Sequence, residues 1–105
     1  MTPEAKVKQK VVDRLKELGV YYFFPVANPM YGTRGVPDIV ACMAGRFIAI
    51  ECKAAGNVLT ELQKRNFELI EKNFGVALEC NDINLAEVLG TLSSLASNPW
   101  LIPKT

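Results

Sequence analysis

Histidine is absent from this 105-residue chain, although it is the side chain that enzymes most often use as a general base near neutral pH. Its absence excludes Ser-His catalytic triads and histidine metal sites. Any catalysis must therefore use carboxylates, lysine and a bound metal ion.

Cysteine is scarce, and its spacing excludes the common zinc and redox motifs. Cys42, Cys52 and Cys80 form no CxxC pair, and each lies in an apolar segment typical of a strand. We expect all three to be buried free thiols, and their odd number indicates a reducing compartment.

Long apolar segments are also missing. No run reaches transmembrane length, and the first ten residues contain no apolar signal segment, so a cytoplasmic location is expected. The length predicts one domain over residues 1–105. The net charge of +1 argues against strong non-specific nucleic-acid binding, but residues 1–53 carry eight Lys/Arg against five Asp/Glu. This excess favours an anionic partner near that half of the chain.

Two apolar, β-branched segments in the middle of the chain are predicted to form a β-hairpin. They are residues 36–43 and 47–53, separated by a segment that begins with Ala44-Gly45 and is typical of a tight turn. The length of the loop sets the pairing register of the whole hairpin.

Three ionisable residues, Asp38, Glu51 and Lys53, lie towards the open end of this hairpin. A two-residue loop puts Asp38 directly opposite Glu51, and Lys53 shares their face because strand side chains alternate. A three-residue loop would turn Asp38 away from Glu51. Burying these charges without partners would be costly, and two adjacent carboxylates form a site for a hard cation.

A first helix is predicted over residues 3–18, because Thr2-Pro3 is a typical helix start and Gly19 a typical stop. Its apolar stripe runs through Val7, Val11, Leu15 and Leu18. One turn before Val7, this stripe reaches Glu4. Glu4 is either an acid that favours a helix N-terminus or a further carboxylate at the metal site.

Residues 20–26 are rich in aromatic and β-branched side chains and are predicted to form the first strand, with Pro25 at its end or on an edge. Residues 27–35 contain turn formers and are predicted to be a mobile loop. Tyr31 and Arg34 in this loop are candidates for contacts with a base and a phosphate, and ordinary surface roles fit both equally well.

A second helix is predicted to begin at the capping box formed by Thr60 and Gln63, to run to Asn73 and to stop at Gly75. Its predicted buried face comprises Leu62, Phe67, Ile70 and Phe74. Capping alone would explain Gln63, and a role at the metal site is the alternative.

Two cations, Lys64 and Arg65, follow in the first turn of this helix, where the helix dipole disfavours positive charge. They indicate an anionic contact nearby. Residues 76–80 are predicted to form a fourth strand, and Asn84 with Glu87 to cap a last amphipathic helix. The apolar tail, residues 100–102, either packs back on the domain or contacts another subunit.

The resulting α-β-β-β-α-β-α order predicts an α/β fold with a mixed sheet between helices. The segments Gly35-Val36-Pro37-Asp38 and Glu51-Cys52-Lys53 resemble the PD-(D/E)xK nuclease signature, and the αβββαβ order resembles the core of that superfamily. Together with Arg34, Gln63 and Glu4, they resemble the VRR-NUC family, in particular its stand-alone phage-type members.

This resemblance implies a restriction-endonuclease-like core and a bound Mg²⁺ or Mn²⁺ ion. Asp38, Glu51, Glu4 and the Cys52 carbonyl would hold the ion. Lys53 would orient or help to deprotonate the attacking water, and Glu4 and Gln63 would tune the site from the flanking helices. The implied nucleic-acid contacts are Tyr31, Arg34, Gly35, Lys64 and Arg65.

The implied function is a metal-dependent DNA endonuclease in a bacterial or phage-infected cell. Recognition of branched DNA, such as four-way Holliday junctions or flaps, fits a chain with no separate recognition domain. A homodimer is expected from its size, its apolar tail and residues 21–24. The alternatives are a restriction-type or archaeal-resolvase-like nuclease, a non-catalytic nucleic-acid-binding relative, and a structural subunit with a buried salt-bridge cluster.

Overall fold

The computed structural model describes residues 1–28, 30, 32 and 34–98, so Tyr31 and the tail residues 100–102 lie outside the described residues. In chain order the elements are α1 (Pro3–Leu18), β1 (Tyr21–Phe23), β2 (Ile39–Met43), β3 (Arg46–Cys52), α2 (Glu61–Lys72), β4 (Val76–Cys80) and α3 (Leu85–Ala96). The α/β class and the predicted order of elements are confirmed. None of the helices in the described part of the chain has the length and apolar character needed to span a membrane.

The four strands form one mixed sheet in the spatial order β1-β2-β3-β4. The β1–β2 and β2–β3 pairs are antiparallel, and β4 runs parallel to β3 because α2 carries the chain back across the sheet.

The β2–β3 turn has two residues, which is the shorter of the two loop lengths considered. Ala44 and Gly45 both have positive φ, 49° and 84°, which is typical of the type I′ turns that match the twist of hairpin strands. Met43 pairs with Arg46, and the ladder continues to the pair of Ile39 and Ile50. The next pair in this register is Asp38 and Glu51.

One face of the sheet packs against α1 and α3 to form the main core. Its fully buried members include Val11, Leu15, Ile39, Met43, Ile48, Ile50, Cys52, Cys80 and Leu92. Arg14 joins the two helices, since its Nη1 donates to the Leu89 carbonyl at 3.0 Å and to Ser93 Oγ at 2.8 Å. The alternate strand residues, among them Val40, Ala49 and Glu51, therefore point to the opposite face, on which α2 packs.

The buried face of α2 differs from the prediction. Leu62 is 43% exposed and Phe74 is 93% exposed, whereas Phe67 is buried. Gln63 lies one turn before Phe67 and so takes the position predicted for Leu62. The helix ends at Lys72, and Phe74 adopts the left-handed conformation expected of Gly75, which turns its ring into solvent.

Three further predictions were wrong in detail. β1 ends at Phe23, short of Pro25, which has no amide to donate to a ladder. Cys42 is exposed, because it lies on the sheet face away from α1 and α3, at a position that α2 does not cover. Asn84 makes no capping hydrogen bond, since its side chain binds the backbone of Glu79 and Asn81 instead.

Candidate metal centre

Three carboxylates from three different elements converge at the open end of the hairpin. Glu4 is in the first turn of α1, Asp38 immediately precedes β2, and Glu51 is near the end of β3. One oxygen from each lies within 4.8 Å of the others. The two inferences from periodicity, one along the helix and one across the hairpin, therefore meet at the same point.

Glu51 is the buried member of this cluster, with 3% of its surface exposed. Its Oε2 accepts a hydrogen bond from Gln63 Nε2 at 3.0 Å and lies 3.8 Å from Lys53 Nζ. Its Oε1 is buried and has no hydrogen-bond partner among the described residues. Because a buried carboxylate oxygen without a partner is costly, and oxygen is the ligand that Mg²⁺ and Mn²⁺ prefer, this donor set fits a divalent cation.

Asp38 is held against the neighbouring strand. Its Oδ2 accepts a hydrogen bond from the Cys52 amide at 2.8 Å, one residue beyond Glu51. This bond continues the hairpin past the last ladder pair and fixes the carboxylate at the open end. The backbone of Cys52 is therefore at the site, while ligation by its carbonyl stays a prediction.

The electrostatics of the cluster follow from burial and from the closeness of the carboxylates. The pKa of Glu51 is raised from 4.5 to about 7, chiefly by burial, then by the charge of Asp38 and by the hydrogen bond that a protonated Glu51 carboxyl can donate to Asp38. Lys53 opposes this shift but does not cancel it. Near neutral pH, Glu51 therefore carries a proton for part of the time, and a cation in the site would compete with that proton.

The Gln63 side chain makes the predicted capping box and also contacts Glu51, while its role at a metal site stays a prediction. The Gln63 amide donates to Thr60 Oγ1 at 3.2 Å, and the Thr60 amide donates to Gln63 Oε1 at 2.9 Å, which completes a capping box. The remaining polar group of the same side chain, Nε2, donates to Glu51. The start of α2 and the orientation of Glu51 are therefore joined by one residue.

The loop that leads to Asp38 is also attached to α2. Gly35 has a φ of 74°, and a Cβ at this position would lie 2.7–2.9 Å from backbone and Cβ atoms of Leu62. Asn66 Nδ2 donates to the Arg34 carbonyl at 3.1 Å and to the Leu62 carbonyl at 2.8 Å. Asn66 was not identified from the sequence. The only signal in the sequence was that asparagine, a poor helix former, stands one turn after Gln63 in a predicted helix.

Four of the five predicted nucleic-acid contacts are described, in the loop before Asp38 and near the start of α2, whereas Tyr31 lies outside the described residues. Arg34, Lys64 and Arg65 are exposed at the loop and in the first turn of α2, and Lys64 Nζ is 3.4 Å from Glu61 Oε1. Gly35 packs against α2, which gives a structural reason for glycine at this position. Its contact with DNA stays a prediction.

The buried cysteines have no features of reactive thiols. Burial raises the pKa of Cys52, with a further contribution from the charge of Asp38, and burial raises the pKa of Cys80 to about 11. Since the thiolate is the reactive form, both act as core residues.

Comparison of the chain with protein-family models, curated proteins and solved structures finds no match. The resemblance to the VRR-NUC family therefore stays a prediction, carried by the residues quoted for it.

Proposed function

We propose that this chain is a metal-dependent nuclease with a restriction-endonuclease-like core that hydrolyses phosphodiester bonds in DNA. The observation that carries this proposal is the convergence of Glu4, Asp38 and Glu51 beside Lys53, with one buried Glu51 oxygen that has no hydrogen-bond partner in the part of the chain that the structure describes. A purely structural cluster would gain nothing from leaving that oxygen without a hydrogen bond.

Each residue of the cluster has a distinct role in this reaction. Asp38, Glu51 and Glu4, with the Cys52 carbonyl, would hold Mg²⁺ or Mn²⁺, which when bound supplies Lewis-acid activation of the scissile phosphate. Lys53 is largely buried, with 14% of its side chain exposed, so its ammonium group can donate to the attacking water and stabilise charge that develops on the phosphate. Gln63 orients Glu51 through their hydrogen bond.

The substrate that fits this surface is DNA. Arg34, Lys64 and Arg65 are exposed on the loop before Asp38 and near the start of α2, and the N-terminus of this helix, which contributes Gln63, favours phosphate through its dipole. The proposed specificity is for DNA shape, such as that of a four-way junction or a flap, because shape is recognised largely through the phosphate backbone.

A homodimer would present two such centres to a substrate of roughly two-fold symmetry. Tyr21, Phe23 and Phe47 are exposed and border one groove on the uncovered part of the sheet, which makes them candidate interface residues. Light scattering at micromolar concentration tests this point. A monomeric mass, both free and with a four-way junction bound, would rule the dimer out.

The activity is tested by incubating the protein with labelled duplex, flap and four-way junction DNA in Mg²⁺, Mn²⁺, Ca²⁺ or chelator. We expect cleavage in Mg²⁺ or Mn²⁺ and none in chelator. Binding without cleavage in every metal would favour the non-catalytic relative. Failure to bind any divalent cation would favour the structural subunit.

A further inference from the structure

We propose that the groove between α1 and β1 binds an unpaired strand of the DNA substrate; this inference rests on the proposed nuclease function. The groove has a volume of about 420 Å³. Its helical wall includes Lys8, Val12 and Lys16, and its other wall is formed by Tyr22 and Phe24.

The chemistry of this groove is both basic and aromatic. It is bordered by two lysines and no acidic side chain among the described residues. Lys8 Nζ lies 4.5 Å from the centroid of the Phe24 ring, and that side chain is 47% exposed. Proteins that bind single strands combine cations that follow the phosphates with aromatic rings on which bases stack. Lys8 covers one face of the Phe24 ring, so a base that stacks on the exposed part of this ring would lie next to the ammonium group.

The groove begins next to Glu4 of the candidate metal centre, since Ala5 and Lys8 line it. Lys8 follows Glu4 by four residues on α1, so the two side chains lie on the same side of the helix, about 6 Å apart at their Cβ atoms. An unpaired strand that leaves the metal centre along α1 would enter the groove directly. This geometry suits a branched substrate in which one arm is single-stranded.

The aromatic residues of β1 divide between two surfaces, which separates this groove from the candidate dimer interface. Side chains alternate along the strand, so Tyr22 and Phe24 face α1 while Tyr21 and Phe23 face the other side of the sheet. The second surface is bordered by a single cation, Arg46, and is otherwise mainly apolar. Nucleic acid therefore fits the first surface better than the second.

The test is fluorescence anisotropy with a labelled oligothymidine of about 12 nucleotides, in chelator so that nothing is cleaved. Phe24→Ala should weaken binding at least about fivefold, through the loss of base stacking. Lys16→Ala should reduce the slope of log affinity against log salt by about 0.7, the value for one phosphate contact on a single strand. Lys10→Ala is the matched control, an exposed lysine on the same helix but outside the groove, and should change neither quantity.

Equal affinity for the wild type, Phe24→Ala and Lys16→Ala would overturn the proposal. A changed mass in light scattering for Phe24→Ala, with unchanged affinity, would also overturn it and make the groove a protein interface. Phe24→Leu, which keeps the apolar bulk but not the ring, replaces Phe24→Ala if that variant does not fold. Cleavage of a duplex by the wild type in Mn²⁺ is measured separately. If the wild type does not cleave the duplex, the nuclease proposal is wrong. The oligothymidine measurements decide separately whether the groove binds a single strand.

Discussion

The hairpin of β2 and β3 has two ends of opposite character. At the closed end, Ala44 and Gly45 form a turn whose geometry is set by these two residues alone, and Met43 pairs with Arg46 beside it. At the open end, Asp38 and Glu51 bring two carboxylates together in a largely buried position. Their arrangement depends on contacts with Gln63 and Lys53, which lie outside the paired strands.

The two ends differ in what they contribute: the closed end stabilises the hairpin, whereas the open end carries the candidate functional residues. At the closed end, the backbone groups of β2 and β3 pair with each other, which stabilises the pairing register of the hairpin. At the open end, a buried Glu51 oxygen has no hydrogen-bond partner among the described residues and the pKa of Glu51 is raised to about 7, and both features oppose the stability of the ionised form near neutral pH. Residues that oppose stability in this way are expected at functional sites.

The largest effect is expected when one of the carboxylates at the open end is removed. We expect Asp38→Ala or Glu51→Ala to reduce cleavage by at least about 100-fold, because each change removes a metal ligand and even partners of ligands contribute up to that amount. The fold should be retained, since each change also relieves repulsion between carboxylates. Single-turnover cleavage and thermal unfolding measure the two effects.

The control for these variants is Glu79→Ala. Glu79 pairs with Glu51 across β3 and β4 but is not one of the three converging carboxylates, so cleavage should be retained. An Asp38→Ala variant that cuts at the wild-type rate would end the assignment of the site.

Gly35→Ala tests whether the loop before Asp38 must lie against α2. The left-handed conformation and the contact with Leu62 together predict a loss of about 2–5 kcal/mol in the free energy of unfolding. Gly19→Ala is the matched control, because Gly19 has a similar φ of 67° but nothing within 4 Å of an added Cβ. It should lose only about 1–2 kcal/mol. Equal losses in urea unfolding would show that the contact with Leu62 is unimportant.

The raised pKa of Glu51 predicts that the free energy of unfolding depends on pH through this one carboxyl at the open end. The carboxyl binds its proton more tightly in the folded state, so the free energy of unfolding should fall as pH rises from 4.5 to about 7. The total contribution is about 3 kcal/mol. Millimolar Mg²⁺ at pH 8 should restore stability, because a cation replaces the lost proton.

Glu51→Gln removes this titration while keeping the size of the side chain. Urea unfolding over a pH series should therefore give a flatter profile for Glu51→Gln than for the wild type between pH 4.5 and 7. Identical profiles would show that Glu51 is not the group responsible.

Variants of the two capping-box residues, Thr60 and Gln63, distinguish an effect on helix stability from an effect on metal binding. Thr60→Ala and Gln63→Ala should each cost about 1 kcal/mol, because each removes one capping hydrogen bond. Gln63→Ala should also weaken Mn²⁺ binding by about tenfold, because Gln63 orients Glu51. Titration calorimetry would refute this role if the two variants bound Mn²⁺ equally.

The smallest effect is expected at Glu4, the exposed member of the cluster. Glu4→Gln keeps the size of the side chain and the helix but loses its charge, so it should lower metal affinity or cleavage rate without unfolding the chain. The loss should be less than about tenfold, because solvent screens an exposed charge. Unchanged kinetics across a metal titration would leave Glu4 with the single role of favouring the N-terminus of α1.

The sequence was sufficient for the parts of the site that follow from short-range periodicity. The turn at Ala44 and Gly45 determines which residues of the hairpin face each other, and helical spacing from Val7 leads to Glu4. Neither inference needs knowledge of how the elements pack. The convergence of Glu4 with Asp38 and Glu51 was one of two alternatives for Glu4, because it depends on how α1 packs against the hairpin.

Contacts between distant elements could not be predicted in the same way. The hydrogen bond from Asn66 to the Arg34 carbonyl and the packing of Gly35 on Leu62 depend on where α2 docks. The exposure of Phe74 and Cys42 has the same origin, since hydropathy does not reveal which part of a sheet a helix leaves uncovered.

A partly protonated Glu51 would make cation binding at this centre an exchange reaction. Near neutral pH, a divalent cation that binds the Glu51 carboxylate would displace a proton from part of the molecules. The heat of binding measured by calorimetry would then depend on the ionisation enthalpy of the buffer, and affinity would fall as the solution is acidified.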